Sequence, residues 1–451
     1  MKRFSIFILS IIFLSCSKSD RPASNGLPTD PAQFGTPYEN LPAGKDATIY
    51  QVNIRAFSPE GNLQGVTAKL DHIKSLGVNV IYLMPIYPVG AVRSVNSPYA
   101  VRDYKAVGEE FGTLEDLRTL VSTAHQKDMA VILDFVANHT AWDHPWITSN
   151  KSWYRQDANG NIVSPAGFND VAQLNFDNDS LRTAVIEALR YWVFAANVDG
   201  YRFDFADNVP VAFWKEAITS LRGIEGHQLL LFAEGTRNDH FRTGFDLTFG
   251  FSFYGNLKDV YQNGKTATQI NEVNKTEYTN AYDASRVVRY ISNHDINLSD
   301  GTPKELFGGE KGALAAFVIA SYMKGVPMIY NGQEIGYNNR INYFKRDPIN
   351  WTANSAVTEE YKKILGFRNS SLPIREGQLY TYSSDDVVAF SKEQGDEKVF
   401  TMVNVRNKTV DYTLPASLAN TTWKEAYANG NVTLQAKVTL QPYQYIVLKN
   451  Q

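Results

Sequence analysis

The chain has 451 residues, 43% of them hydrophobic and 20% charged, an ordinary soluble composition with enough apolar material for a large core and more than one domain. A formal net charge of -3, with Lys and Arg scattered rather than clustered, excludes a surface built to grip a phosphate backbone, so no nucleic-acid partner is expected. Aromatic residues make up 13% of the chain, and their flat apolar faces with polar edges suit sugar rings among other ligands.

The N-terminus reads as a separate object. "MKRFSIFILSIIFLSCSKSD" opens on Lys2 and Arg3 and is apolar from Phe4 to Leu14, too short a run for a stable bilayer span, which predicts a signal peptide over 1–15. "LSCS" resembles the lipobox of bacterial lipoproteins, implying lipidation of Cys16 and export to the cell envelope, with anchoring at the outer membrane expected. Cys16 is the only cysteine, so no intrachain disulfide can form. Residues 16–44, rich in Pro, Ser, Gly and Asn, predict a lipidated N-terminus followed by a flexible tether.

Beyond it, short apolar or β-branched runs alternate with amphipathic stretches, the pattern of repeated βα units around a parallel sheet. The first strand is expected over 48–54, followed by a helix over 63–76 with Val66, Leu70, Ile73 and Leu76 at helical spacing, then a strand over 78–86. A helix over 113–128, with Thr113 and Asp116 as a capping box, leads into a nearly continuous apolar strand over 129–139. Strands over 198–205, 228–235, 244–251, 286–295 and 326–334 complete eight units, which predicts an α/β fold of the (β/α)8 TIM-barrel type. Asp134 and Asp204 are 70 residues apart, against 30 between Asp204 and Glu234, so the third unit carries an insertion. The barrel is therefore divided as 45–138 and 176–368 around an inserted domain over 139–175, and short alternating runs after it predict a C-terminal β-sandwich domain over 369–451.

Asp204, Glu234 and Asp295 fall at the C-terminal ends of the fourth, fifth and seventh strands, the end of such barrels where active sites form. One such carboxylate reads most simply as a surface or capping residue. Three on one rim repel one another, and suit glycosidic bond cleavage, where one carboxylic acid protonates the leaving oxygen and another carboxylate attacks the anomeric carbon.

"DFVANH", "GYRFDFADN", "FAEG" and "ISNHD" resemble, in order and at matching strands, the four catalytic motifs of the α-amylase family, glycoside hydrolase family 13. "GVNVIYLMPI" and "GVPMIYNGQE" resemble two further segments of that family. The resemblance implies a retaining hydrolase of α-glucans or maltooligosaccharides, most simply an endo-acting α-1,4-amylase, with no cofactor needed for the chemistry. An oligosaccharide α-glucosidase, a cyclomaltodextrinase or maltogenic enzyme, a glucanotransferase and, remotely, a non-catalytic glucan-binding lipoprotein stand as alternatives; a monomer is expected. It makes Asp204 the nucleophile, Glu234 the general acid and base, and Asp295 the third carboxylate that binds sugar hydroxyls. Arg202 is expected to orient Asp204 and keep it ionised. His139 and His294 match histidines that bind the sugar at the cleavage point, Tyr99 the tyrosine that stacks beneath it, and Asp134 and Asp103 supporting residues. The inserted aromatics Trp142, Trp146, Trp153 and Tyr154 are candidates for outer sugar platforms or for core.

Two departures concern a structural calcium ion. Many family members end the second motif in Lys-His, where this chain has Asp207 and Asn208, and Gln173 stands in "VAQLN" where a calcium-binding aspartate is usual. Asn138 is what remains of the usual ligand set, which predicts a weakened or lost calcium site. "DANGN" over 157–161 reads as an Asn-Gly turn rather than a metal loop.

Overall fold

The computed structural model describes residues 30–283, 285–352 and 354–450, so the signal peptide, Cys16 and most of the tether lie outside the described residues. Eight parallel strands close into a barrel: β1 (Ile49–Val52), β2 (Val80–Leu83), β3 (Ala130–Val136), β4 (Gly200–Asp204), β5 (Leu230–Ala233), β6 (Leu247–Phe249), β7 (Arg286–Arg289) and β8 (Val326–Tyr330). Each pairs with its neighbour in sequence, and β8 closes on β1 through Ile49 opposite Met328. Their residues are buried on both faces, Arg286 apart, which is why they read as continuous apolar runs rather than as an alternation.

All eight expected strands form, but each is shorter than its apolar run. Past the last ladder position the chain turns out of the barrel, at Phe205 after the fourth strand and into a helix from Phe251 after the sixth, and composition does not mark where pairing stops. The helix expected over 63–76 is two, Leu63–Thr67 and Leu70–Ser75. Asn62 caps the first by accepting from Gly65 N–H, and Gly65 and Thr67, both weak helix formers, sit before the break. Thr113 and Asp116 make the expected reciprocal capping box on the helix Leu114–Gln126.

The helix after the insertion shows how the outer layer is held. Asn178 caps Asp179–Ala196, and Leu181, Val185, Ala188, Leu189 and Trp192 recur at helical spacing on its buried stripe. Trp192 is fully buried, yet its indole N–H donates to the Tyr104 carbonyl at 2.8 Å, so no polar group is stranded. Truncating such a residue to alanine costs about 3–5 kcal/mol.

The insertion is small: strands His139–Ala141 and Val171–Gln173 pair antiparallel, with a short helix Trp146–Ser149 between them. Gln156 bridges Ile162 across the Asn-Gly turn, whose N–H groups of Asn159 and Asn161 are accepted by Asp157. After the helices Ser355–Ser370 and Leu372–Glu376 the chain enters a six-stranded antiparallel sheet and a two-stranded one, with a second core around Phe400, Met402, Trp423 and Leu448.

Candidate active site

Strand register assembles the site. Arg202 lies beside Asp134 across the β3–β4 ladder, and Asp204, two residues on, shares its face of the strand. The Arg202 guanidinium is fully buried, with Nη1 2.7 Å from Asp134 Oδ1 and 2.8 Å from Asp204 Oδ1, and Nη2 paired with Glu234 Oε1 from the end of β5. One cation thus binds three carboxylates. The hydroxyls of Tyr82 and Tyr99 donate to the other oxygen of Asp134, at 2.6 and 3.0 Å.

The backbone turns sharply where the catalytic motif ends. Phe205 has φ 52° and ψ 37°, a left-handed conformation unusual for a bulky side chain, and its N–H donates to Glu234 Oε2 at 2.8 Å. The turn therefore ties the carboxylate after β5 to the one ending β4.

From the β7 side, Asn293 caps the helix His294–Ser299, which carries Asp295 in its first turn. The His294 ring bridges Gln51, 2.8 Å from Nδ1, and Tyr99, whose hydroxyl is 2.8 Å from Nε2. Burial, with Arg202 adding to it, lowers His294 to about 4, so the ring is neutral near neutral pH. Burial likewise brings His139 down to about 4, and the Asn138 amide is 3.1 Å from its Nδ1.

Tyr99, His139, Asp204, Glu234, His294 and Asp295 line one cavity of about 200 Å³ at the C-terminal end of the barrel. Asp134 stands behind Arg202 and outside that lining. Asp103 sits in a surface loop, accepting from Lys105 N–H at 2.8 Å, away from the cavity. Trp142, Trp146, Trp153 and Tyr154 pack against the core, and none of the four lines the cavity.

Burial pushes Asp204 well above the ordinary carboxylate range; Arg202 pulls it down, and the charges of Glu234 and Asp134 push it further up. Arg202 thus favours the ionised form of Asp204, as expected, against burial and the two other carboxylates it holds. A single guanidinium divided among three carboxylates does not offset the desolvation of all of them.

The sequence reading missed Tyr343, Phe344 and Phe168. Tyr343 and Phe344 stack at 4.4 Å in the loop after β8, and the Tyr343 hydroxyl donates to Asp295 Oδ1 at 3.1 Å. Phe168, exposed at the cavity lining, stands edge-on to Phe205. An aromatic pair in "INYFKRDP", a loop leaving the catalytic end of a strand, was the available signal.

Asp207, one of the two departures at the end of the second motif, is engaged by the segment that follows Glu234. It accepts from Thr236 N–H at 2.9 Å, Arg237 N–H at 3.2 Å and the buried His240 ring at 2.6 Å. Burial pushes this carboxyl up, but the bonds from His240, Thr236 and Arg237 outweigh it and bring it to about 2. The close approach also requires Gly235, since a Cβ there would collide with the Asp207 carboxylate.

Calcium has little to hold it here. Among the described residues no group of three His, Cys, Asp or Glu side chains is arranged to hold a metal ion, and the Asn138 side-chain NH2 lies 3.1 Å from His139 Nδ1. Such a donor set does not fit an ion that prefers several oxygens with carboxylate charge among them.

An eight-stranded parallel barrel with carboxylates gathered at the strand C-termini defines a glycosidase-type (β/α)8 enzyme. The family model for the α-amylase catalytic domain matches residues 25–160 and 148–371. α-Amylase 3 of Dictyoglomus thermophilum is 26% identical, covering 91% of this chain and 94% of that one, and a glucan 1,6-α-glucosidase of Streptococcus dysgalactiae is 23% identical, covering 77% and 76%. The crystal structure of an α-amylase from Lactobacillus plantarum superposes with a TM-score of 0.81 at 27% identity, covering 90% of this chain and 99% of that one. The chain belongs to the α-amylase family of glycoside hydrolases.

Proposed function

We propose that the protein is a retaining, endo-acting hydrolase of α-1,4-linked glucans. The observation that carries this reading is the grip of Arg202 on Asp204 and Glu234 together, in a cavity that Asp295, Tyr99 and the two histidines also line. Asp204 attacks the anomeric carbon as the bond to the leaving oxygen breaks, and Glu234 gives that oxygen its proton. A water then attacks the same carbon, passing a proton to Glu234 as the bond to Asp204 breaks. Asp295, steadied by Tyr343, and the neutral His139 and His294 hold hydroxyls of the sugar being cleaved. The aromatic ring of Tyr99 forms its apolar floor. No step uses a metal or cofactor.

The α-amylase names of relatives that cover about nine-tenths of the chain support the α-1,4 reading. Amylose digestion tests both parts. Iodine staining should collapse while few reducing ends have been released, and Asp204→Asn should release none. Release of glucose without early loss of staining would assign an exo-acting glucosidase, and an inactive wild type on amylose, pullulan and cyclodextrin would leave a glucan receptor.

The sequence pattern around Cys16 supports export as a lipoprotein anchored at the outer membrane. Labelling by radioactive palmitate in a bacterial host should be lost in Cys16→Ser, and equal labelling of both proteins would refute the anchor.

A further inference from the structure

A second cavity, of about 570 Å³, opens at the opposite end of the barrel from the catalytic carboxylates. It lies where the N-terminal ends of β7 and β8 meet the first strands of the C-terminal sheet. Five basic side chains line it, Lys45, Arg286, Lys324, Arg375 and Lys392, against two acids, Asp283 and Glu376. Neither acid pairs with Arg286, Lys324 or Lys392 among the described residues. Glu376 pairs with Lys45, and Asp283 is engaged by Arg286 through its backbone carbonyl only; Arg375 pairs with Asp46.

Three cations are left without a carboxylate among the described residues. Arg286 bonds only backbone carbonyls, including Ser285 O at 2.7 Å, and the Lys324 ammonium rests 3.9 Å over the Tyr278 ring. Lys392 is the telling one. It sits in an interior position of the sheet, between Leu379 and Val399, and is only 4% exposed. Burial, with Lys324, Arg286, Arg289 and Arg368 adding to it, lowers its ammonium to about 7. A buried lysine surrounded by cations is costly to the fold, and a chain has no packing reason to place one there.

We propose that this recess is a binding site for a phosphoryl group, as free phosphate or on a small phosphate monoester, with Lys392, Lys324 and Arg286 supplying the counter-charge. Phosphate carries charge and acceptor oxygens enough to engage all three cations at once. The volume exceeds that of a lone phosphate and falls in the range of small-molecule sites, leaving room for the organic part of a monoester. The site shares no lining residue with the glycosidase cavity.

Titration calorimetry on the intact chain at fixed ionic strength tests this, with sodium phosphate and glucose 6-phosphate as probes and sodium chloride as the control. Saturable one-to-one binding is expected, weakened at least tenfold by Lys392→Met and by Lys324→Gln, with amylose hydrolysis unchanged in both. Tighter binding of glucose 6-phosphate than of phosphate identifies the monoester as the ligand, and equal binding identifies free phosphate. Lys392→Met should melt no lower than wild type in the absence of ligand; if it fails to fold, Lys324→Gln carries the test. Absence of saturable binding by either probe, or binding retained in the variants, overturns the proposal.

Discussion

Replacing Asp207 separates its charge from its shape. The carboxyl sits about two pH units below its ordinary value, equivalent to about 2.5 kcal/mol if fully transmitted to folding. Its side chain is 35% exposed, so screening reduces this to about 1–1.5 kcal/mol, the expected loss in Asp207→Asn. Asp207→Ala also leaves the fully buried His240 ring nitrogen without its acceptor, a further cost of about 1–3 kcal/mol. For a protein of this size those losses lower Tm by roughly 1–2 °C and 2–5 °C. The sign of the pH effect follows from a folded value below the unfolded one. The stabilisation is complete above about pH 5, falls to about half at pH 3, and is lost as the pH drops through the folded value. Urea denaturation of wild type and Asp207→Asn at pH 7, 5 and 3 reads this directly. A variant matching wild type at pH 7, or a gap unchanged at pH 3, would refute the reasoning. Because Asp207 fixes the loop that follows Glu234, Asp207→Ala should also cut kcat by about tenfold.

Three further outcomes are expected. Tyr343→Phe removes the donor to Asp295 and should lower kcat/KM on maltooligosaccharides by about tenfold without shifting Tm; unchanged kinetics would place Tyr343 outside the binding step. Arg202→Leu strips the cation from three carboxylates and should abolish hydrolysis and cost about 3–5 kcal/mol of stability, measured by calorimetry; a variant as stable as wild type would mean that the carboxylates are neutral in the free enzyme. Prolonged EDTA treatment should leave Tm unchanged, and a fall of several degrees that calcium alone reverses would establish a cation site that the donors around Asn138 do not suggest.

The barrel was legible because a strand buried on both faces must be a continuous apolar run, and eight such runs punctuate the chain. Their ends were not, since nothing in the composition of "SNHD" and "FADN" marks that the first turns into a helix at His294 and that the second turns sharply at Phe205. Site residues on strands were readable for a related reason: Arg202 and Asp204 share a face by the two-residue period, and one strand register sets Asp134 beside Arg202. Contacts between loops have no such period. Tyr343 meets Asp295 across 48 residues and His240 meets Asp207 across 33, and nothing local in either segment announces the partner.

The same limit hides the other neighbours of Asp204. Read as a sequence, Arg202 and Asp204 are a pair, and a pair predicts an ionised carboxylate. In three dimensions Asp134 and Glu234 compete for the same guanidinium, so the ionised cluster would carry a net charge of -2 inside a dry wall. Burial and those two neighbouring charges raise Asp204 while Arg202 lowers it, so no single pair sets the hold of this carboxyl on its proton. The two-residue period of the strand shows one neighbour of Asp204, and only the closed barrel brings in the other two.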